Sequence, residues 1–260
     1  MRAIVRNEAR QEQGDPVLGN QVLQLRAQLE RVQGLRLDAP VLPVHSALAA
    51  LLPGGGLRPG AAYTLGRSMS LLLALLARPS QDGSWCGVIG MPELGAEAAE
   101  AIGVDLARLV LVPDAGSRWL AVTATLAEVL PVVAVRPPAR AGDAEMARLG
   151  ARLRDRGTVL LVQGPWPLAE ATLDVGEPQW SGVGRGHGYL ADRTVTVTVS
   201  SRRWPMPRRQ RMLLPGARGE VVVAPETRGE PAVTPMRVVP APPGRRHQGE
   251  PLGELLEAVG

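Results

Sequence analysis

Between residues 45 and 164 the chain alternates two patterns. Short, almost wholly apolar runs are separated by longer stretches in which apolar residues return at helical spacing. That rhythm predicts strands over 61–65, 84–90, 108–112, 132–135 and 158–162. It predicts helices between them, over 68–77, 93–102, 117–129 and 143–156. Strands that are apolar on both sides need cover on both faces. The order therefore reads as an α/β fold with a mostly parallel sheet flanked by helices. The helix over 143–156 carries its own punctuation: Asp143 and Glu145 open it, Arg152, Arg154 and Arg156 close it, and Gly157 follows. Each end has the charge that suits the helix dipole.

After Gly164 the rhythm changes. Thr194 to Val199 alternates with period two, the mark of a half-exposed antiparallel strand, and a hairpin turning at Ala191-Asp192-Arg193 would add it to the sheet. Upstream, residues 17–34 (VLGNQVLQLRAQLERVQG) place Val22, Leu25, Leu29 and Val32 on one face of a helix that Gly34 ends. Beyond Trp204 the chain is rich in Pro, Gly and Arg with little periodicity, and 205–250 reads as mostly disordered. Within it GEVVV (219–223) reads as a lone strand. At the end, PLGELLEAV (251–259) puts Leu252, Leu255, Leu256 and Val259 at helical spacing, a pattern typical of partner-binding helices. The expected organisation is an N-terminal helix and connector over 1–44, an α/β core over 45–204 and an Arg/Pro-rich tail over 205–260.

Composition narrows the chemistry. Of 260 residues, 45% are hydrophobic, enough for a sizeable core. The longest apolar run, 71–77, is far short of a bilayer span, and the polar N-terminus lacks a secretory pattern. One cysteine, Cys86, leaves no disulfide framework. A cytoplasmic protein with no membrane partner is expected. All 29 basic residues are Arg, so no Lys is available at any position. The net charge of +4 is unevenly spread: 202–246 holds ten Arg against Glu220, Glu226 and Glu230. Such a segment is either a solvated tail or a surface for nucleic acid or an acidic protein. His45, His187 and His247 lack metal-ligand spacing. Cys86 sits in an apolar run and reads as an inert core thiol. GVGRGHG (182–188) reads as a turn, because no helix follows it. Trp85, Trp119, Trp166 and Trp180 read as packing residues rather than base-stacking ones.

Several ordered phrases resemble the RecA-like recombinase core. LLPGGGLRPG (51–60) looks like the Gly-rich segment before the first core strand, and YTLGRSMSLLLALLA (63–77) falls at the phosphate loop. WCGVIGMPELGAEAAEAIGVDLARLVLV (85–112) is similar to the strand, acidic turn, helix, Gly-Val-Asp and next strand of that core. VVAVR and TVLLVQG follow at the next two strands. Within the superfamily the phrases GSWCGVIGMPELGAEAA, RLVLVPDAGSRWLAVTATLAEVLPVVAVRPP and RGHGYLADRTVTVTVSSRR look like the ImuA/ImuA-prime group of actinobacteria, with SulA-like proteins nearby. The resemblance implies an accessory protein of the damage-induced (SOS) mutasome. Such a protein works in translesion synthesis with the inactive Y-family polymerase homologue ImuB and an error-prone polymerase, and associates with the nucleoid under DNA damage.

The residues that would carry ATP chemistry are missing. A phosphate loop needs Gly-rich backbone N–H groups, a Lys, a Ser/Thr hydroxyl on magnesium and acidic partners. Gly66 matches the first loop Gly. Without a gap, Leu71, Leu72 and Leu73 stand where Gly, Lys and Ser/Thr belong; in a shortened loop, Arg67-Ser68-Met69-Ser70 is the whole turn. Met91 stands where the resemblance implies the water-activating Glu, with Glu93 two residues along. Arg136 replaces the Asp at the end of the fourth strand. No nucleotide or metal cofactor and no catalysis are expected. The expected activity is that of an adaptor. Val22, Leu25 and Leu29 are candidates for partner or self-association, and Arg208, Arg209 and Arg211 for an ImuB-type partner, polymerase, recombinase or DNA. Gln210 to Leu214, including Leu213 and Leu214, resembles a sliding-clamp peptide, and Leu255 and Leu256 are candidates for a docking helix. The alternative is a SulA-like inhibitor that binds the tubulin-like division protein.

Overall fold

The first core strand, β1 (Ala62–Leu65), lies inside a mixed sheet rather than at its edge. The structure, a computed structural model, describes residues 40–182 and 192–225. In chain order the elements are α1 (Ser46–Ala49), β1, α2 (Met69–Gln81), β2 (Cys86–Ile89), α3 (Ala96–Ile102), β3 (Leu109–Val112), α4 (Trp119–Leu126), β4 (Val132–Val135), α5 (Asp143–Arg156) and β5 (Val159–Gln163). Four strands follow: β6 (Ala171–Trp180), β7 (Arg193–Ser201), β8 (Arg208–Leu213) and β9 (Val222–Val223). Among the described residues the sheet has nine strands in the order β3-β2-β4-β5-β1-β6-β7-β8-β9. Pairing is parallel from β3 through β6 and antiparallel from β6 to β9. This is the α/β core with antiparallel C-terminal strands that the sequence pattern and the RecA-like resemblance implied.

The two faces hold separate apolar layers. On one, α2 and α3 pack with the 44–57 segment onto Tyr63, Leu65, Val132, Ala134 and Leu161, and onward to Leu173, Val195, Val197 and Val199. On the other, Trp119 of α4 and Leu149 and Leu153 of α5 cover Val133, Val135, Leu160 and Val162. β4 and β5 are buried along their whole length, which is why they read as continuous apolar runs. Leu71 to Ala77 of α2 are all buried as well, since that helix is clamped between the sheet, α3 and the 44–57 segment. The Gly-Val-Asp turn has a structural task. Gly103 ends α3 in the left-handed region at φ 100°, Val104 is buried, and Asp105 caps the turn into β3 by accepting the Ala107 N–H at 3.0 Å.

Two expectations are corrected. Residues 205–225 are not a disordered tail: β8 pairs with β7 from Thr194↔Leu213 to Val199↔Arg208, and β9 pairs with β8. Met212, Leu214 and Val221 are buried in the same layer as α2. The core therefore runs past 204, because a few buried side chains and a full antiparallel ladder compensate for weak periodicity. The second correction is β6, a long strand that the sequence pattern does not announce. Its outer half is exposed, and its register shifts between Gly176 and Gln179. The helix over 17–34, the turn over 182–188 apart from Gly182, Ala191 of the expected hairpin turn and the helix over 251–259 lie outside the described residues. Among the described residues no helix is long and apolar enough to cross a membrane.

Candidate functional site

Phosphate loops sit at the carboxyl end of a central parallel strand, where a helix N-terminus faces the ligand. Here that place is Gly66-Arg67-Ser68, between β1 and α2. The loop is the short form. Ser68 is the N-cap of α2, and its Oγ accepts the Leu71 N–H at 3.3 Å. The Leu72 N–H donates to the Ser68 carbonyl at 3.2 Å, the Ser68 N–H to the Gly66 carbonyl at 2.8 Å, and the Gly66 N–H to the Leu173 carbonyl at 2.9 Å. Four backbone donors of the loop and first helical turn, those of Gly66, Ser68, Leu71 and Leu72, are thus spent on the chain itself. Leu71, Leu72 and Leu73 are 0%, 0% and 1% exposed, so the positions that would hold Gly, Lys and Ser/Thr lie in the core.

The loop is also electrostatically wrong for phosphate. A Cβ built on Gly66 would lie 2.9 Å from Asp174 Oδ1, so a carboxylate of β6 stands directly against the loop glycine. Sequence reasoning missed Asp174 because β6 itself was not legible. Ser70, in the first turn of α2, is held from the other side: it accepts an Arg193 Nη1–H at 3.0 Å and shares a 3.3 Å contact with the Ser68 hydroxyl.

Arg136 and Glu93 come together in space, with a guanidinium where a nucleotide site would have a carboxylate. Arg136, just past β4, donates from Nε and Nη2 to Gln163 Oε1 at 2.9 and 2.6 Å, and from Nη1 to the Glu93 carboxylate. Glu93 is held below the usual carboxylate range by its own backbone N–H and by Arg136, with Arg67 contributing at longer range. Met91 is buried in the apolar layer and has no group that could activate a water or bind magnesium. Gln163 is buried and its Nε2 has no hydrogen-bond partner. Where a magnesium-nucleotide would need carboxylates, a guanidinium ties three strand ends together. Among the described residues no group of three or more His, Cys, Asp or Glu could hold a metal ion.

The remaining candidates divide. Arg208, Arg209 and Arg211 are exposed on β8. Arg208 lies 3.8 Å over the Trp204 ring and donates to the Ala50 carbonyl at 3.2 Å; Arg211 bonds Gln179. Leu214 is fully buried and Leu213 is partly buried in a paired strand, so Gln210 to Leu214 cannot be presented as a free clamp-binding peptide. Val22, Leu25, Leu29, Leu255 and Leu256 lie outside the described residues. Cys86 is fully buried, and burial pushes its thiol up to about 12. Trp119 packs, but Trp85 and Trp180 do not: they are 44% and 54% exposed, with Arg108 and Arg193 lying 5.9 and 5.8 Å over their rings. No sequence signal distinguished them from packing tryptophans.

A second surface stands out at the far edge of the sheet. β3 is the edge strand, its sequence is Leu-Val-Leu-Val, and Leu111 is 43% exposed. Beside it, α4 (WLAVTATL) has no charged residue on any face, and Val129 beyond it is 73% exposed. Edge strands are normally guarded by charge, Pro or a bulge, and an apolar helix is normally covered.

Comparison with known proteins places these features. A family model described as the MT3502 N-terminal domain matches residues 50–168, from just before the Gly-rich turn to the β5–β6 connection. The chain is also 35% identical over 120 residues to a protein of Mycobacterium tuberculosis (strain ATCC 25618 / H37Rv) described as "Uncharacterized protein Rv3395c". That match takes in 45% of this chain and 59% of the relative, so the chain spans less than two thirds of the relative's length. The family model thus spans β1 to β5, and β6 to β9 fall outside it.

Proposed function

We propose that this chain is a non-catalytic RecA-like adaptor of the ImuA type, acting in damage-induced mutagenic translesion synthesis. In that role it binds an ImuB-type inactive polymerase homologue and supports an error-prone polymerase. The observation that carries the non-catalytic half is the closed phosphate loop. Four of its N–H donors are satisfied within the chain, Asp174 stands against it, and Arg136 occupies the carboxylate position between Glu93 and Gln163. A fold that keeps its core without the groups of a nucleotide site acts through its surface. The apolar β3 edge and the apolar α4 beside it are the surface we assign to the polymerase homologue, since strand addition and apolar burial together make a specific contact. The similarity to a mycobacterial protein supports the actinobacterial form of the reading.

The experiment is a pull-down of an ImuB-type protein by the full chain and by Leu111→Asp. Leu111 projects at the edge, so the charge there is tolerated by the fold but opposes strand addition. Capture by the wild type and loss in the variant is the expected result. Absence of capture by the wild type would remove the adaptor reading and favour the division regulator. Titration with a fluorescent ATP analogue tests the other half: saturable micromolar binding would overturn the closed-loop argument.

A further inference from the structure

A cleft of about 790 Å³ opens on the face opposite α2, between α5 and the 164–170 connection. It lies away from both surfaces described above. One wall is α5, which shows it Ala147 and Gly150 at adjacent turns, then Arg154. The facing wall is Trp166 and Leu168, and Arg202 and Arg203 of the β7–β8 turn close one end.

Three features of this cleft are unexplained by the fold's own packing. Gly150 stands in the middle of a helix, where glycine is unfavourable. Yet a Cβ there would meet only Arg154 Nη1, at 3.6 Å, so the chain does not need the space. Leu168 is 74% exposed and held at φ 58°, in the left-handed region that branched side chains avoid. Finally, charge is unbalanced at the closed end. Arg58 and Arg203 both converge on Glu170, with Arg58 Nε at 3.8 Å, and the Arg58 and Glu170 side chains are only 11% and 10% exposed. Arg58 Nε and Nη1 have no hydrogen-bond partner. Arg154 and Arg202 have no carboxylate within ion-pair distance among the described residues. At the other end Asp143 is already paired with Arg140 at 3.3 Å.

A trough floored by Ala147 and Gly150, facing Trp166 and ending in guanidinium groups without a carboxylate partner, is complementary to a bulky apolar group carried next to carboxylates. The stretch of α5 from Asp143 to Arg154 is about 16 Å long, which is about five residues of extended chain. We propose that this cleft is a docking groove for an extended acidic peptide of a partner protein. A large apolar side chain fills the Ala147–Gly150 trough facing Trp166, and its flanking carboxylates bond Arg154 and Arg202. The proposal does not depend on the identity of the translesion partner, because it is tested with peptides alone.

The measurement is fluorescence polarisation of the full chain with a fluorescein-labelled Glu-Asp-Leu-Trp-Glu-Asp peptide. A version with Lys and Arg for the acids and a labelled oligo-dT serve as comparisons. Two variants carry the argument. Gly150→Leu fills the trough and at the same time favours the helix, so it should melt no lower than wild type. Arg202→Glu reverses an exposed charge at the closed end. Saturable binding of the acidic peptide alone, weakened about tenfold or more by each variant, is the expected result. The proposal is overturned by no acidic-peptide binding up to about 1 mM. It is overturned equally by unchanged affinity in Gly150→Leu and Arg202→Glu, or by oligo-dT binding that the same variants abolish, which would make the cleft a nucleic-acid site.

Discussion

Restoring the missing Lys is the sharpest way to ask what became of the phosphate loop. If the loop kept its ancestral length, Leu72→Lys would place an ammonium at the mouth of the site. In the structure Leu72 is fully buried inside α2, beneath the sheet and α3. Truncating a core leucine costs about 3–5 kcal/mol, part of which the Lys stem would recover. The ammonium cannot remain charged there without a partner. Giving up its proton at pH 7 from an ordinary value near 10.4 costs about 5 kcal/mol, at 1.36 kcal/mol per unit. The sum is comparable with the whole stability of an ordinary domain, about 5–15 kcal/mol. Leu72→Met, which conserves volume, should cost less than about 1.5 kcal/mol. The assay is guanidinium denaturation of both variants, followed by titration with a fluorescent ATP analogue. A Leu72→Lys protein that unfolds near the wild-type midpoint, or that gains micromolar nucleotide affinity, would refute the reasoning and put the helix start elsewhere.

Three further predictions follow from the packing. Gly219 sits at φ 80°, and a Cβ there would lie 1.7 Å from the Ala101 carbonyl oxygen, so Gly219→Ala should lower stability by at least about 2 kcal/mol in chemical denaturation; a tail residue would show no effect. The Cys86 thiol, buried and raised to about 12, should resist maleimide in the native protein and react only on unfolding, as mass spectrometry would show. His45 is held below its ordinary value of 6.5 by burial and by Arg78. The unfolded chain therefore binds its proton first, and stability that is complete above pH 6.5 should decline as pH falls below it. His45→Gln should flatten that part of a melting-temperature profile.

Much of the parallel half was legible because its signals are local. The observed β4 and α5 coincide with the expected 132–135 and 143–156. For α5 the ends are marked by the Glu145 carboxylate accepting the Gly142 N–H at 3.1 Å and by Gly157 at φ 73°. The expected end of α2 at 77 fell short of Gln81, since Arg78-Pro79-Ser80 looks like a breaker. Pro79 sits in the last turns, and the Ser80 hydroxyl bonds the Ala77 carbonyl at 2.8 Å. β6 and β8 were hidden for a different reason. Asp174, Gly176 and Pro178 are poor strand formers, and the polar run Arg208 to Arg211 lacks apolar alternation; cross-strand pairing with the regular β7 makes strands of both. At the site, the loss of Lys and of the acids could be seen residue by residue. The contacts that replaced them, Arg136 with Gln163 and Asp174 against Gly66, join residues far apart in the chain, and no periodicity encodes them.

The position of β1 has a consequence for how the protein comes to exist. β1 pairs with β5 on one side and β6 on the other, through Tyr63↔Leu161 and Tyr63↔Ala171, so both its neighbours are made about 100 residues after it. On the ribosome the strand that begins the core must wait, with the apolar run Leu71 to Ala77 of α2 behind it, until the chain has emerged past Leu173. A fragment ending at 168, where the match to the family model stops, would leave β1 with a bare edge and α2 without Leu173, Val197 and Met212 of its apolar layer. The segment most easily recognised in this protein is thus one that the later, less recognisable strands must finish. Nascent chains truncated there should be substrates for chaperones and proteases rather than folded domains.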